Sequence, residues 1–380
     1  MAAVVHDVLA RNDQTGFANL DDFALGPGLP TDPRRVVTEA TWSLYGLDLA
    51  RDVAVFVDLP EGTDLARSPF VYATQHELAQ RVLTLSLTEM EEVADLMPPL
   101  GPVIFVFSIG RCGSTLLSHA LNAIPGVWGL SEPDAYSTLI LQHFDSPTRQ
   151  SFAPDQVVRL IRASTRLQYR PPADREGAVF AVKFRSQTLV QADLYHAAFP
   201  EAACVFLYRD ALGWANSMYG MLRQFDVSDP MTGDDRAMPW TSLTAASERW
   251  RLNLMVDIDA PEVATEVPLA PIWAQNMAEY TRQLQAGVPF LALRYNEFNR
   301  DREASMVQLL QHCHLPVGAA ADALATFESD SQTGTKLARE LNMYRLSQTR
   351  LDRLRALLAR DPIFGNPDLR LADIYTAAAL

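Results

Sequence analysis

The sequence predicts an α/β fold of three layers, in which a central, mainly parallel sheet is covered by helices on both faces. Two observations lead to this prediction. Four short runs are almost entirely apolar, as in strands that are buried on both faces: residues 103–108, 179–184, 203–208 and 290–295. Helical segments separate these runs, and alternating strands and helices imply right-handed crossovers between parallel strands. Ligands of such sheets bind at the carboxyl ends of the strands.

An α/β extension is predicted in front of the main domain. Residues 36–47 predict a short helix, residues 52–59 predict a strand rich in β-branched side chains, and residues 77–97 predict a longer helix. Two prolines follow this last segment and would stop a helix. We therefore divide the chain into an extension, 1–97, whose residues indicate no chemistry, and a main domain, 98–380.

The composition excludes several classes of protein. The 380 residues are 48% hydrophobic, which opposes intrinsic disorder, and the net charge of −14 opposes binding to nucleic acid or to an anionic membrane surface. No apolar run approaches the ~20 residues that a membrane helix needs. The three cysteines lie far apart, and no basic and apolar signal peptide begins the chain. These features lead us to expect a protein of the reducing cytoplasm, without a structural metal.

The loop after the first buried strand has the composition of an anion-binding site. It reads SIGRCGSTLL, and a helix is predicted to start at Ser114. Gly110 and Gly113 allow the backbone to turn its N–H groups inward, and the start of a helix adds unpaired N–H groups and a positive dipole end. Arg111 adds a full positive charge. The alternative is an ordinary turn with Ser114 as the helix cap.

A nucleoside triphosphatase is a second interpretation of this loop. That class has a Lys directly before the Ser or Thr, where it reaches the outer phosphates. Here Gly113 precedes Ser114. The segment 205–210 ends in Asp210 like a Mg²⁺-binding strand, but Arg209 stands between the apolar run and this aspartate. The missing Lys opposes ATP or GTP chemistry.

The first loop and the loop after the third buried strand together form a recognisable signature. Arg209 ends that strand, and Ser217 follows eight residues later in the next helix. This combination resembles the nucleotide site of the sulfotransferases that use 3′-phosphoadenosine 5′-phosphosulfate (PAPS). Their first loop, P-[KR]-S-G-T-[TS], is matched by Arg111, Gly113, Ser114 and Thr115, with Gly110 and Cys112 as departures; their R-x7-S element is matched by Arg209 and Ser217.

The resemblance covers residues 100–340 and implies a P-loop-like nucleotide-binding fold. It implies that residues of the first loop hold the 5′-phosphosulfate, namely Arg111, Cys112, Gly113, Ser114 and Thr115. It further implies that Arg209 and Ser217 hold the 3′-phosphate and that Tyr295 lies near the adenine. A loosely matched C-terminal phosphate loop contributes Gly334, Thr335 and Lys336. The implied donor is PAPS, the product is 3′,5′-ADP (PAP), and no metal is required.

The resemblance also suggests the catalytic groups. Several branches of the family use a Glu as the general base on the segment after the loop and helix, and here Glu132 lies 21 residues past Arg111. His119 and Asp134 are the alternatives. A cation is needed beside the transferred group. Lys183, at the end of the second buried strand, is the candidate together with Arg111.

The predicted function is therefore sulfuryl transfer from PAPS to a hydroxyl or amine of a small-molecule acceptor. The alternatives are a P-loop kinase or NTPase and a non-catalytic nucleotide-binding protein. Residues 225–272 are predicted to form an inserted lid, and the stretch 226–266 carries nine acidic and three basic residues. An acidic lid would suit a neutral or cationic acceptor. Monomer and homodimer both stay open.

Overall fold

The computed structural model describes residues 3–14, 16–140, 152–171, 177–224, 266–333 and 344–372. The chain forms two compact units. The first contains Met1–Val106 and Leu121–Ala203, and the second contains Phe107–Ala120 and Cys204–Leu380.

The first unit begins with an antiparallel sheet, which has six strands in the described part of the chain. These are β1 (Val4–Arg11), β2 (Phe23–Leu25), β3 (Leu29–Pro30), β4 (Trp42–Asp48), β5 (Val53–Asp58) and β6 (Arg81–Ser86). The order is β2-β1-β6-β5-β4, and β3 pairs with β1. The accompanying helices are α1 (Arg35–Thr38), α2 (Val71–Leu78) and α3 (Leu87–Ala94). Residues 1–97 thus contain both strands and helices, as the sequence predicts.

Two predicted helices of this region were wrong. The helix expected at 36–47 ends at Thr38, and β4 follows because its residues pair with β5, with Leu44 opposite Phe56. The helix expected at 77–97 is interrupted by β6, whose residues pair with β1 and with β5. A new helix starts after Ser86, whose hydroxyl accepts from the N–H of Glu89 while the Glu89 carboxylate accepts from the N–H of Ser86.

A parallel sheet also belongs to the first unit. Its strands are β7 (Val103–Ser108), β8 (Val127–Ser131) and β9 (Val179–Lys183), and β9 pairs with both of the others. Lys183 is in register with Val106 of β7 and with Ser131 of β8. Helices of this region are α4 (Ser114–Asn122), which continues from the second unit, α5 (Asp134–Leu139), α6 (Pro154–Gln168) and α7 (Ala192–Ala198).

The second unit is built on two further parallel strands. They are β10 (Ala203–Tyr208) and β11 (Phe290–Arg294), with Leu207 opposite Leu293. The helices are α8 (Ala211–Gln224), α9 (Glu266–Gln285), α10 (Tyr295–Arg300), α11 (Arg302–His312), α12 (Ala320–Ala325) and α13 (Gln348–Leu358). Phe206 stacks against Tyr280 of α9 and Phe290 packs beside it at a tilt, with ring centroids 4.6 and 5.3 Å away. Both strands lead directly into the candidate site described below.

The predicted fold class is confirmed. The four apolar runs form β7, β9, β10 and β11, all in parallel pairs, and every residue of β7 is buried. β8 was not predicted. Residues 225–265 of the predicted lid lie outside the described residues, whereas 266–272 belong to α9. Within the described ranges, no helix has the length and apolar character needed to cross a membrane.

Candidate functional site

The loop between β7 and α4 has the backbone of an anion-binding turn. Three of its residues have left-handed φ angles, 68° at Gly110, 50° at Arg111 and 85° at Gly113. Left-handed residues in such turns direct successive N–H groups toward one point. Helix α4 begins directly afterwards at Ser114 and adds N–H groups that have no partner within the helix. This geometry supports the prediction of an anion cradle.

Hydrogen bonds within the second unit hold this loop in place. The N–H of Ile109 donates to the carbonyl of Leu207 in β10 at 3.2 Å, and the Sγ of Cys112 donates to the same carbonyl at 3.4 Å. The indole of Trp214 donates to the carbonyl of Ile109 at 3.2 Å. Since the Cys112 side chain is only 1% exposed, its thiol serves the packing of the loop against β10.

A close approach to Tyr295 explains the second glycine of the loop. A Cβ on Gly113 would lie 3.0 Å from the Cε2 atom of Tyr295, which is tighter than ordinary van der Waals contact. The φ of 85° also disfavours any residue with a side chain. Gly113 therefore allows the first residue of α10 to rest on the start of α4, and the predicted Tyr295 lies beside the predicted loop.

A cavity of about 200 Å³ opens beside this loop, with all of its lining residues in the second unit. Loop amides, hydroxyls and two guanidinium groups face it. Seven of the sequence-predicted cofactor residues line it, namely Arg111, Gly113, Ser114, Thr115, Arg209, Ser217 and Tyr295. The structure thus brings together residues that are far apart in the sequence.

Arg111 joins the two halves of the signature directly. Its Nε donates to the hydroxyl of Ser217 at 3.3 Å, and its Nη1 donates to the side-chain oxygen of Gln332 at 3.4 Å. Burial lowers the pKa of Arg111, and the positive charge of Arg209 lowers it further. Both effects disfavour the charged guanidinium, so an anion bound in the cavity would relieve them.

Among the described residues, Arg209 has no strong partner. Its guanidinium carbon lies 4.6 Å from the centroid of the Tyr295 ring, and the nearest carboxylate, that of Asp210, is 3.9 Å from its Nε. In the described chain this buried Nε has no hydrogen-bond partner. A buried donor without an acceptor is costly. The position therefore suits a ligand with hydrogen-bond-accepting oxygens.

Asp210 has a structural role in this unit. Its Oδ1 accepts from the N–H of Gly213 at 2.7 Å in the first turn of α8, and its Oδ2 accepts from Asn296 at 2.6 Å. An aspartate at the start of a helix satisfies N–H groups that otherwise have no partner. The carboxylate that resembled a Mg²⁺ ligand in the sequence is thus used to cap α8.

The predicted base and cation form an ion pair in the first unit. The Lys183 Nζ donates to Oε1 of Glu132, and the N–H of Glu132 donates to the carbonyl of Lys183 at 2.7 Å. Lys183 is 4% exposed, so its charge requires this partner. Glu132 has a left-handed φ of 57°. In the described chain nothing donates a hydrogen bond to its second carboxylate oxygen, so that oxygen can accept one from a bound molecule.

Of the two rival bases, Asp134 is less suited to proton transfer than Glu132. The Asp134 side chain is completely buried, and Arg185 pairs with it at 2.8 Å. Burial raises the pKa of Asp134, while Arg185 opposes the rise. His119 lies in α4, and burial lowers its pKa, which favours the neutral imidazole. Glu132 stays the predicted base, with His119 as its rival.

Some site residues were missed or lie beyond the described part. Asp330, Ser331 and Gln332 line the cavity in addition to the predicted residues. Ser331 and Gln332 belong to the stretch 331–336 that loosely matches the family's C-terminal phosphate loop, and Asp330 directly precedes it. The predicted contacts of that loop, Gly334, Thr335 and Lys336, lie outside the described residues. Over the described ranges, no three His, Cys, Asp or Glu side chains are grouped so that they could hold a metal ion.

Comparison with known families identifies one matching family. The model of a family described as "Sulfotransferase family" matches residues 102–319, more than half of the chain. The matched range contains both nucleotide loops as well as Glu132 and Lys183. It excludes the N-terminal extension and the cavity residues after 319. No curated protein sequence matches the chain significantly.

Several solved structures resemble the chain at low sequence identity. A sulfotransferase from Alicyclobacillus acidocaldarius is 16% identical with a TM-score of 0.42, and the match covers 69% of this chain and 94% of that one. Sulfotransferase STF9 from Mycobacterium avium is 12% identical with a TM-score of 0.40, covering 87% and 91%. Mouse sulfotransferase SULT7A1, complexed with PAP, is 12% identical with a TM-score of 0.37, covering 74% and 94%.

Proposed function

The chain belongs to the sulfotransferase family, and we propose that it transfers a sulfuryl group from PAPS to a hydroxyl or amine of a small-molecule acceptor. The observation that carries this proposal is the cavity of the second unit. Two arginines face it: Arg111 donates to neutral groups, and the Asp210 carboxylate is 3.9 Å from Arg209. Asp330, loop amides and hydroxyls complete the lining. A ligand with two separate anionic groups would match this arrangement.

The lining residues fit a bisphosphorylated nucleotide. The left-handed loop and Arg111 would hold the 5′-phosphosulfate at the start of α4. Arg209 and Ser217 would hold the 3′-phosphate, because the buried Nε of Arg209 has no acceptor in the described chain. Tyr295 would lie beside the base. PAPS, when bound, supplies the sulfuryl group and departs as PAP.

Glu132 and Lys183 would act on the acceptor and the transferred group. Glu132 would accept the proton of the acceptor hydroxyl on its second carboxylate oxygen, because the first is held by Lys183. Lys183 would place a positive charge where negative charge develops. These roles are served by side chains alone, so we propose turnover that survives EDTA.

Calorimetric titration of the full chain tests the donor assignment. We expect PAP to bind without added metal, and 5′-AMP to bind much more weakly because it lacks the 3′-phosphate. ATP with Mg²⁺ is the control for a kinase or NTPase. Binding of ATP with Mg²⁺ in place of PAP would overturn the proposal.

The second step is a transfer assay with ³⁵S-labelled PAPS and a panel of small alcohols, phenols and amines. We expect label in at least one acceptor class, with the same rate in EDTA. If PAP binds but no member of a broad panel is labelled, the chain is a nucleotide-binding protein rather than a transferase.

A further inference from the structure

A second ion pair lies two residues beyond the first, and the mechanism above does not use it. Arg185 Nε is 2.8 Å from Oδ1 of Asp134, and its Nη2 donates to Oδ2 at 2.9 Å. Asp134 and Arg185 each follow a member of the Glu132–Lys183 pair by two residues. Two carboxylates and two cationic side chains therefore face each other across neighbouring chain segments, and each cation pairs with one carboxylate.

The N-terminal extension holds this second pair in place. The Arg185 guanidinium lies 3.8 Å from the centroid of the Tyr72 ring and 5.3 Å from that of Phe17. The N–H of Ala18 donates to Oδ2 of Asp134 at 2.8 Å. All of these residues belong to the first unit. The extension thus supplies aromatic faces to the cation and a hydrogen bond to the anion.

The extension also contacts the residue before Glu132. The hydroxyl of Ser131 donates to the carbonyl of Pro69 at 2.7 Å. Contacts from residues 17–72, which we call the holding segment, therefore lie on both sides of Glu132. A non-glycine residue with left-handed φ persists only where its surroundings determine it strongly. The holding segment provides such surroundings.

The pairing of Arg185 with Asp134 has a consequence for Glu132, the predicted general base. If Arg185 left Asp134, that buried carboxylate would lose its cation, and Glu132 would face an unpaired negative charge in place of a nearby ion pair. We therefore propose that Arg185 is a positioning residue for Glu132, that Phe17 and Tyr72 keep Arg185 in place, and that Ala18 holds its partner Asp134. The extension is then part of the catalytic apparatus. This inference rests on the proposed function for its catalytic meaning.

Variants of Tyr72 separate this role from general packing. Tyr72→Leu removes the ring under Arg185, whereas Tyr72→Phe keeps the ring and removes only the hydroxyl. Burial raises the pKa of Tyr72 to about 12, so the hydroxyl is neutral and the Phe variant changes no charge. Arg185→Lys is a further variant. It keeps the positive charge, but its shorter side chain weakens the contacts with both rings and with Asp134.

We expect Tyr72→Leu to lower kcat by about 10- to 100-fold, since misplacing a catalytic group costs factors of this size. The affinity for PAP should stay within about twofold, because its predicted ligands lie in the other unit, and Tyr72→Phe should behave like the wild type. The pH profile of kcat should shift only in the Leu and Lys variants. Wild-type kcat and pH profile in both of these variants would overturn the proposal, as would equal losses of turnover and PAP affinity.

A measurement that does not depend on sulfuryl transfer separates the test of the positioning role from the test of the proposed function. In protein labelled with ¹³C at glutamate carboxyl groups, the Glu132 signal is assigned by its loss in Glu132→Gln. We expect its titration to change in Tyr72→Leu and Arg185→Lys but not in Tyr72→Phe. An unchanged titration would refute the positioning role even if sulfuryl transfer is confirmed. Absence of transfer with a changed titration would refute only the proposed function.

Discussion

The cavity of the second unit and the Glu132–Lys183 pair of the first unit are both charged, but their charges are arranged in opposite ways. In the cavity, Arg111 donates to neutral groups, and the carboxylate nearest to Arg209 already accepts two other hydrogen bonds. In the first unit, Lys183 donates directly to a carboxylate. The cavity is thus suited to an anion from outside, whereas the pair is balanced internally and offers one carboxylate oxygen.

This difference implies that binding and chemistry can be separated by substitution. Changes in the cavity should weaken nucleotide affinity, and changes at the pair should reduce turnover. If every substitution affected both properties equally, the division of labour between the two regions would be wrong.

The largest effect is expected at Glu132. Glu132→Gln removes the group that would accept the acceptor proton, so turnover should fall by about 10²–10⁴-fold, the usual contribution of a general base. Affinity for PAP should stay within about twofold. The assays are ³⁵S transfer and calorimetry, and Glu77→Gln, at an exposed glutamate of α2, is the control. Unchanged turnover would move the base to another residue.

A smaller effect, on nucleotide affinity and not on turnover, is expected at Arg209. A hydrogen bond to a charged group contributes about 1.5–3 kcal/mol, so Arg209→Ala should weaken PAP binding by roughly 10- to 150-fold. Binding of 5′-AMP should change little, because it lacks the 3′-phosphate. Calorimetry with both nucleotides measures the difference, and Arg300→Ala, at an exposed arginine of α10, is the matched control. Equal losses for both nucleotides would contradict the assignment of Arg209 to the 3′-phosphate.

Local patterns predicted most of the parallel sheet but less of the N-terminal sheet. The strand at 203–208 was predicted with its observed bounds, because a strand buried on both faces is apolar throughout. β6 was missed because its apolar residues continue into α3, and the combined segment imitates a helix. The capping box at Ser86 and Glu89 marks the true start of the helix and was the signal that could have corrected the prediction.

The candidate site was predictable as a set of residues but not as a set of contacts. Arg111 and Ser217 belong to a recognisable signature, yet their hydrogen bond joins positions 106 residues apart and depends on how α8 lies beside the loop. The pairing of Lys183 with Glu132 depends on the register of β8 and β9, in which Ser131 faces Lys183. The sequence contains no local pattern that determines such a register.

The smallest effect is expected at Cys112, and it tests whether this side chain belongs to the cavity or to the packing of its loop. The resemblance places residue 112 among the cofactor contacts, but the buried Sγ donates to the Leu207 carbonyl. Cys112→Ala should therefore lower the free energy of unfolding by about 1 kcal/mol, the usual net contribution of a hydrogen bond, and should change PAP affinity by no more than about twofold.

Urea denaturation and calorimetry measure the two quantities on the same protein, with the buried Cys313→Ala as the control at the end of α11. A weakening of PAP binding beyond about tenfold, without loss of stability, would assign the thiol to the cofactor. The expected result instead restricts the contribution of residue 112 to its backbone N–H. The cavity would then bind its anion through the loop amides, the two arginines and the hydroxyls, with no thiol chemistry at the site.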